Sequence, residues 1–175
     1  MSSDQTVRGG LEDERGRARD VAMRLLAARA RSRAELTDRL LRKGLDKQVV
    51  GKLLDDLERS GLVDDADFAE QWVFFRHRDG ARSRKALSLE LRRKGVDEEL
   101  IAEAVGQISD DDERDRAVAL VRRTLARRRI PSAGEVDACR REQRRLVGML
   151  ARKGYGAELA YSVVIDEWEQ ARHAS

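Results

Sequence analysis

Two histidines, one cysteine and a surplus of arginine are the side chains with which this 175-residue chain could do chemistry. Acid–base or nucleophilic catalysis needs titratable groups that converge, and a metal centre needs ligands at fixed spacing. His77 stands between Arg76 and Arg78, and His173 lies near the C-terminus, so both read as surface or groove residues. A lone Cys139 excludes an internal disulfide framework and a multi-cysteine metal site, and it suits a reducing compartment. No Walker-type loop, G-x-G-x-x-G or H-E-x-x-H occurs. The acidic runs Asp64-Asp65-Ala66-Asp67 and Asp110-Asp111-Asp112-Glu113 have the residue type for a divalent cation. Each stands at an expected helix start, where carboxylates accept from free N–H groups and oppose the positive end of the dipole. The expectation is therefore a protein without catalytic residues, cofactor or metal.

Basic clusters are the remaining signal. Arg76, Arg78, Arg82, Arg84 and Lys85 crowd one helix junction near Trp72 and Phe75. Arg122 and Arg123, then Arg127, Arg128 and Arg129, are followed by Arg140-Arg141 and by Arg144 and Arg145. Guanidinium groups at that density can neutralise phosphates, with affinity driven by counterion release. Yet 36 Lys and Arg stand against 33 Asp and Glu, so a solvated face balanced by nearby acids gives the same pattern. Both readings stay open at this point.

The elements that must position these residues are helices. Charged residues make up 39% and aromatics 4% of the chain, and Pro131 is its single proline. That mixture suits thin helices sharing narrow seams better than one thick core. The string Arg-Lys-Gly plus an apolar residue recurs as Arg42-Lys43-Gly44-Leu45, Arg93-Lys94-Gly95-Val96 and Arg152-Lys153-Gly154-Tyr155. Three and seven residues before the lysines stand Leu40 and Leu36, Leu91 and Leu87, and Leu150 and Leu146, one apolar helix face each. After the glycines, Val49-Val50 with Leu53-Leu54, Leu100-Ile101 with Ala104-Val105, and Leu159-Ala160 with Val163-Val164 mark a second helix in the same register. Glycine at the junction supplies the left-handed residue that ends a helix, so capping accounts for the motif, with room for a partner contact besides.

Each pair is preceded by a third helix. Ala18 to about Arg31 carries Val21, Leu25 and Leu26, followed by Ser32 and Glu35 as a capping box. Asp65 to about Arg78 carries Phe68, Trp72 and Phe75, and Ser83 repeats the cap position. About Asp111 to Arg129 carries Val118, Val121 and Leu125 before the Ile130–Gly134 break. The fold expected is all-α: three tandem three-helix, helix-turn-helix-like repeats, 18–62, 63–109 and 110–175, forming an elongated curved array. Residues 1–17 are polar and aperiodic and read as a disordered tail. The N-terminus has no apolar leader core and no 18-residue apolar run occurs, so a cytoplasmic protein is expected, with neither export nor membrane insertion.

The segments Ser32–Leu36 with Leu40–Leu45, Gly61-Leu62-Val63-Asp64-Asp65-Ala66-Asp67-Phe68-Ala69, and Leu87–Val96 resemble the RecX family, regulators of the recombinase RecA. The likeness runs from about Ala18 to Ala171. It implies three tandem three-helix repeats, a cytoplasmic location and no enzymatic activity. It also implies direct binding to RecA and its filament on single-stranded DNA; a monomer is expected. There it inhibits strand exchange, ATP hydrolysis and co-protease activity by blocking extension or promoting disassembly, within recombination and the SOS response. Direct DNA binding, known in some members, suits the basic clusters. A second reading is a helix-turn-helix transcription regulator, which needs base-reading side chains at the start of a recognition helix. The helices after the glycines open instead on Asp46-Lys47-Gln48, Asp97-Glu98-Glu99 and Ala157-Glu158.

Overall fold

Of the four described glycines with left-handed backbone, three follow the recurring Arg-Lys pair: Gly44 at φ 79°, Gly95 at 72° and Gly154 at 94°. In the computed structural model, which describes residues 3–132 and 134–173 and side chains from Glu12 onward, each glycine joins two helices. The helices are α1 (Ser3–Ala28), α2 (Arg33–Leu41), α3 (Lys47–Arg59), α4 (Asp65–Arg78), α5 (Arg84–Arg93), α6 (Glu98–Gly106), α7 (Asp110–Leu125), α8 (Val136–Arg152) and α9 (Ala157–His173). No strand occurs among the described residues. The inward register holds: Leu36, Leu40, Leu87, Leu91, Leu146 and Leu150 are all buried. No described helix is long and apolar enough to cross a membrane.

Two boundaries and one cap differ from expectation. The first helix begins at Ser3, so residues 3–17, read as a disordered tail, are helical; Met1 and Ser2 lie outside the described residues. From Glu14 on it is held to α3 and its cap: Glu14 Oε1 accepts from Asp46 N at 2.9 Å, Arg15 pairs with Asp56, and Ala18 and Ala22 are fully buried. The leading helix of the third repeat stops at Leu125 rather than Arg129, because Arg127 N and Arg128 N turn to carbonyls three residues back, tightening the chain ahead of Pro131. Glu35 does not close a capping box. Ser32 Oγ accepts from Glu35 N at 3.1 Å as expected, but the Glu35 carboxylate faces Arg29 and Lys94. A complete box forms at Ser109 and Asp112.

The chain divides into two compact units. The first takes residues up to Gln71 together with Leu91–Ile101. Its core sets Ala18 and Ala22 of α1 and Leu36 and Leu40 of α2 against Val50, Leu53, Leu54 and Leu57 of α3. Here Lys94-Gly95 is seated on the start of α2: Ser32 Oγ donates to Lys94 O at 2.5 Å and Lys94 Nζ donates to Glu35 Oε1 at 2.9 Å. A Cβ on Gly95 would overlap that of Ala34. Arg33 N donates to Asp65 Oδ1 at 2.8 Å, so an acid of the first acidic run binds α2 while it starts α4.

The second unit takes Trp72–Glu90 and residues from Ala102 on. In it α9 packs on α7 and α8 around Leu120, Val121, Leu125, Leu146, Leu150, Val163, Val164 and Trp168. The same seating recurs at the start of α5. Ser83 N donates to Lys153 O at 3.1 Å, and Lys153 Nζ donates to Gly80 O at 2.7 Å. A Cβ on Gly154 would stand 2.5 Å from Ser83 Oγ and 2.6 Å from Ala86 Cβ. Arg84 N donates to Glu113 Oε1 at 2.8 Å, matching Arg33 with Asp65. At Gly44 nothing lies within 4 Å, so conformation alone selects glycine there.

Candidate functional site

The clustered basic residues singled out in the sequence all fall in the second unit, and the fold sorts them by their partners. The sorting starts at Glu90 of α5. This carboxylate accepts from Arg76 Nε and Nη2 at 3.1 Å each and from Trp72 Nε1 at 3.0 Å, and it pairs with Arg82 Nε at 3.1 Å. The Arg76 guanidinium also lies 5.5 Å from the centroid of the Trp72 ring. Burial works against ionisation of Glu90, but the hydrogen bonds from Arg76 and Trp72 outweigh it and hold its pKa below the usual carboxylate range.

One acid does not balance what surrounds it. Arg82 Nη1 donates to Arg152 O at 3.2 Å, where the C-terminal carbonyls of α8 attract a cation. Lys153 is next in the chain. Burial first, then the fields of Arg82, Arg76 and Arg123, push its pKa down, with Glu90 opposing. Four cations from α4, the 79–83 loop, α7 and the end of α8 thus gather where one carboxylate opposes them. The positive excess continues over the end of α7 and the turn after it: Arg123, Thr124, Arg127 and Arg128 line an open groove of about 480 Å³. A smaller groove adds Arg145 and Arg152 beside Arg128 and Glu142, and Arg128 Nη1 donates to Glu142 at 2.9 Å. Lys85, Arg123, Arg127 and Arg145 are exposed, with no carboxylate partner among the described residues.

The other candidates are placed differently. Arg84 is latched to Glu113 and Asp110. Arg122 serves the buried Glu167, its Nε donating at 2.5 Å and its Nη2 at 3.0 Å. Arg129 reaches Glu135 at 3.6 Å. Arg78 donates to Asp79 at 3.0 Å and lies over Phe74 and Phe75, 4.8 and 5.8 Å from the ring centroids. Arg144 lines a separate groove between α8 and α9.

Two residues of α4 lie on the faces opposite to those expected. The buried stripe is Phe68, Ala69, Val73 and His77, so Phe75, expected inward, is exposed beside Phe74. The two rings meet edge to face with centroids 5.3 Å apart. His77, expected at the surface, is buried; its Nδ1–H donates to Arg82 O at 2.9 Å and its Nε2 has no hydrogen-bond partner. The unbroken apolar run Trp72-Val73-Phe74-Phe75 let a stripe one residue out of phase look equally apolar. Lys153 belongs to the Arg-Lys-Gly motif, whose residue types capping alone explains. Among the described residues no group of three or more His, Cys, Asp or Glu is placed to hold a metal ion.

Fold and site together define an all-helical protein of glycine-jointed three-helix groups that carries one strongly basic face. Residues 18–57 match the sequence model of the first three-helix domain of RecX, and residues 64–105 match that of the second. The regulatory protein RecX of Mycolicibacterium smegmatis is 46% identical over 155 residues, 89% of this chain and 81% of that protein. The regulatory protein RecX of Mycobacterium tuberculosis is 48% identical over 150 residues, 86% of this chain and 85% of that protein. The crystal structure of RecX from Lactobacillus salivarius superposes with a TM-score of 0.74 at 20% identity, covering 89% of this chain and 97% of that one. A second RecX crystal structure gives a TM-score of 0.78 at 22% identity, over 95% and 80% of the two chains. The chain belongs to the RecX family of regulatory proteins.

Proposed function

We propose that this protein binds the RecA recombinase and its filament on single-stranded DNA and lowers its strand-exchange, ATPase and co-protease activities by blocking filament extension or promoting disassembly. It acts in the cytoplasm, in recombination and the SOS response, without catalysis of its own and without a cofactor. The organising elements are the three-helix repeats 18–62, 63–109 and 110–175, and one monomer is the binding unit.

The observation that carries the reading is the charge excess at Glu90. Arg76, Arg82, Arg123 and Lys153 gather where this one carboxylate opposes them, and the exposed Arg127 and Arg145 extend the basic surface. A surface needing only solubility would interleave its acids, as Arg84, Arg122 and Arg128 do with theirs. Uncompensated guanidinium groups suit phosphates and carboxylates, both of which a nucleoprotein filament displays.

Binding measured to RecA alone, to single-stranded DNA alone and to the assembled filament tests the proposal. Tightest binding to the filament, with DNA-dependent ATP hydrolysis falling at substoichiometric protein, is the expected result. Sequence-selective binding to duplex DNA with no effect on the recombinase would establish the transcription-regulator reading instead. Intrinsic nuclease or nucleotidase turnover in the pure protein would overturn the non-enzymatic one.

A further inference from the structure

Away from the Glu90 face, α8 and α9 of the second unit enclose a groove of about 340 Å³ with a different composition. Its apolar part is Val147, Val164 and Ile165, of which Val164 is fully buried. Its polar part is Arg140, Gln143 and Arg144 from α8. Tyr161 completes the lining and is 62% exposed, the most of any large hydrophobic residue in the second unit. Arg140 and Arg144 stand one helical turn apart, about 6 Å along the axis. Neither pairs with a carboxylate of the described residues, and no carboxylate lines the groove.

An apolar pocket with an uncovered aromatic and two unpaired guanidinium groups at its rim has the anatomy of a small docking site. The centre buries one anchor and the rim takes charge. Two kinds of occupant bring negative charge to such a rim: a nucleotide, through its phosphate, and an acidic peptide, through its carboxylates. A nucleobase would lay its ring-edge donors and acceptors against Val147, Val164 and Ile165, and an arginine that answered them could not also hold the phosphate, leaving Gln143 and the Tyr161 hydroxyl for the rest. An aliphatic or aromatic side chain has no such groups to satisfy, and carboxylates beside it in sequence reach forks one turn apart.

We propose that this groove docks an acidic peptide segment of a partner protein. One apolar side chain enters between α8 and α9 beside Tyr161, and flanking Asp or Glu residues are held by Arg140 and Arg144. The site is distinct from the Glu90 face, whose grooves include none of these residues.

The test uses the full chain and a fluorescently labelled peptide with a single leucine between Asp and Glu residues, followed by anisotropy. Saturable binding is expected. Changing the peptide's leucine to serine should weaken it about tenfold, as should Arg140→Ser/Arg144→Ser, while Tyr161→Ala weakens it about fivefold and Tyr161→Phe preserves it. Arg123→Ser/Arg127→Ser, on the other face, should leave peptide binding unchanged, and far-UV circular dichroism checks each fold. The proposal is overturned if no binding appears up to about 1 mM, if the serine peptide binds as tightly as the leucine peptide, or if the Arg140/Arg144 variant binds like the parent. An oligo-dT strand whose affinity depends on Arg140, Arg144 and Tyr161 more steeply than the peptide's would make the groove a nucleic-acid site and equally overturn it.

Discussion

Lys153 Nζ lies 2.7 Å from the carbonyl oxygen of Gly80, whereas Lys94, at the matching place one repeat earlier, lies 2.9 Å from the carboxylate of Glu35. The position matched to Glu35 beside Lys153 is Ala86, which cannot neutralise it. The same seating therefore yields a closed ion pair in the first unit. In the second it leaves a lysine whose positive charge adds to those of Arg76, Arg82 and Arg123.

That contrast predicts opposite costs. Lys94→Met leaves Glu35 half-buried with one cation fewer and should destabilise by about 1 to 3 kcal/mol. Lys153→Met removes a desolvated, crowded charge along with one hydrogen bond, two effects that offset, so stability should move by less than about 1 kcal/mol. The same change should weaken filament binding. Chemical denaturation and filament binding on both variants check the pair.

Glycine is needed for one reason at position 44 and for two at positions 95 and 154. Gly44→Ala should cost about 1 to 2 kcal/mol, the left-handed penalty alone. Gly95→Ala and Gly154→Ala add overlap with Ala34 and with Ser83 and Ala86, and should cost about 2 to 4 kcal/mol. If the clash is the cause, Ala34→Gly should recover part of the Gly95→Ala loss. Equal losses at all three glycines would show that the seating contributes nothing.

Acid should loosen the first unit through Glu35. Burial alone would raise its pKa, but hydrogen bonds from Arg29 and Lys94 outweigh burial and bring it down from 4.5 to about 2. A depressed carboxylate stabilises the fold above its unfolded pKa and loses that contribution as pH falls through the folded value. The contribution, about 1 to 2 kcal/mol once solvent screening is allowed for, should thus fade between about pH 4.5 and 2. The stability gap between the parent and Glu35→Gln, measured by urea unfolding, should be full at pH 7 and shrink across that window. A gap independent of pH would mean Glu35 acts through packing.

Much of this architecture was legible because its signals are local. Leucines at i and i+4 ahead of a glycine fix a helix face and its end, and the buried Leu36, Leu87 and Leu146 follow from spacing alone. What stayed hidden depends on contacts across the chain. Residues 3–17 are polar and look aperiodic, yet Glu14 and Arg15 find partners on or next to α3, more than 30 residues away. In α4 the run Trp72-Val73-Phe74-Phe75 is apolar all round, and only packing chooses the stripe that buries Val73 and His77 and exposes Phe75. The basic candidates were found by type, but which arginines are tied to acids was not, since Arg84 with Glu113 and Arg122 with Glu167 join residues 29 and 45 positions apart.

The most direct measurement is the salt dependence of filament affinity for the parent and for Arg123→Ala/Arg127→Ala, two exposed cations without carboxylate partners among the described residues. If they meet phosphate, the double variant binds more weakly, and its slope of log K against log salt is flatter by about 0.7 for each single-strand phosphate it no longer neutralises. If they meet acidic groups of the recombinase, filament binding weakens while affinity for bare single-stranded DNA holds. Affinity and slope both unchanged on filament and on bare DNA would contradict the assignment of this face to the nucleoprotein.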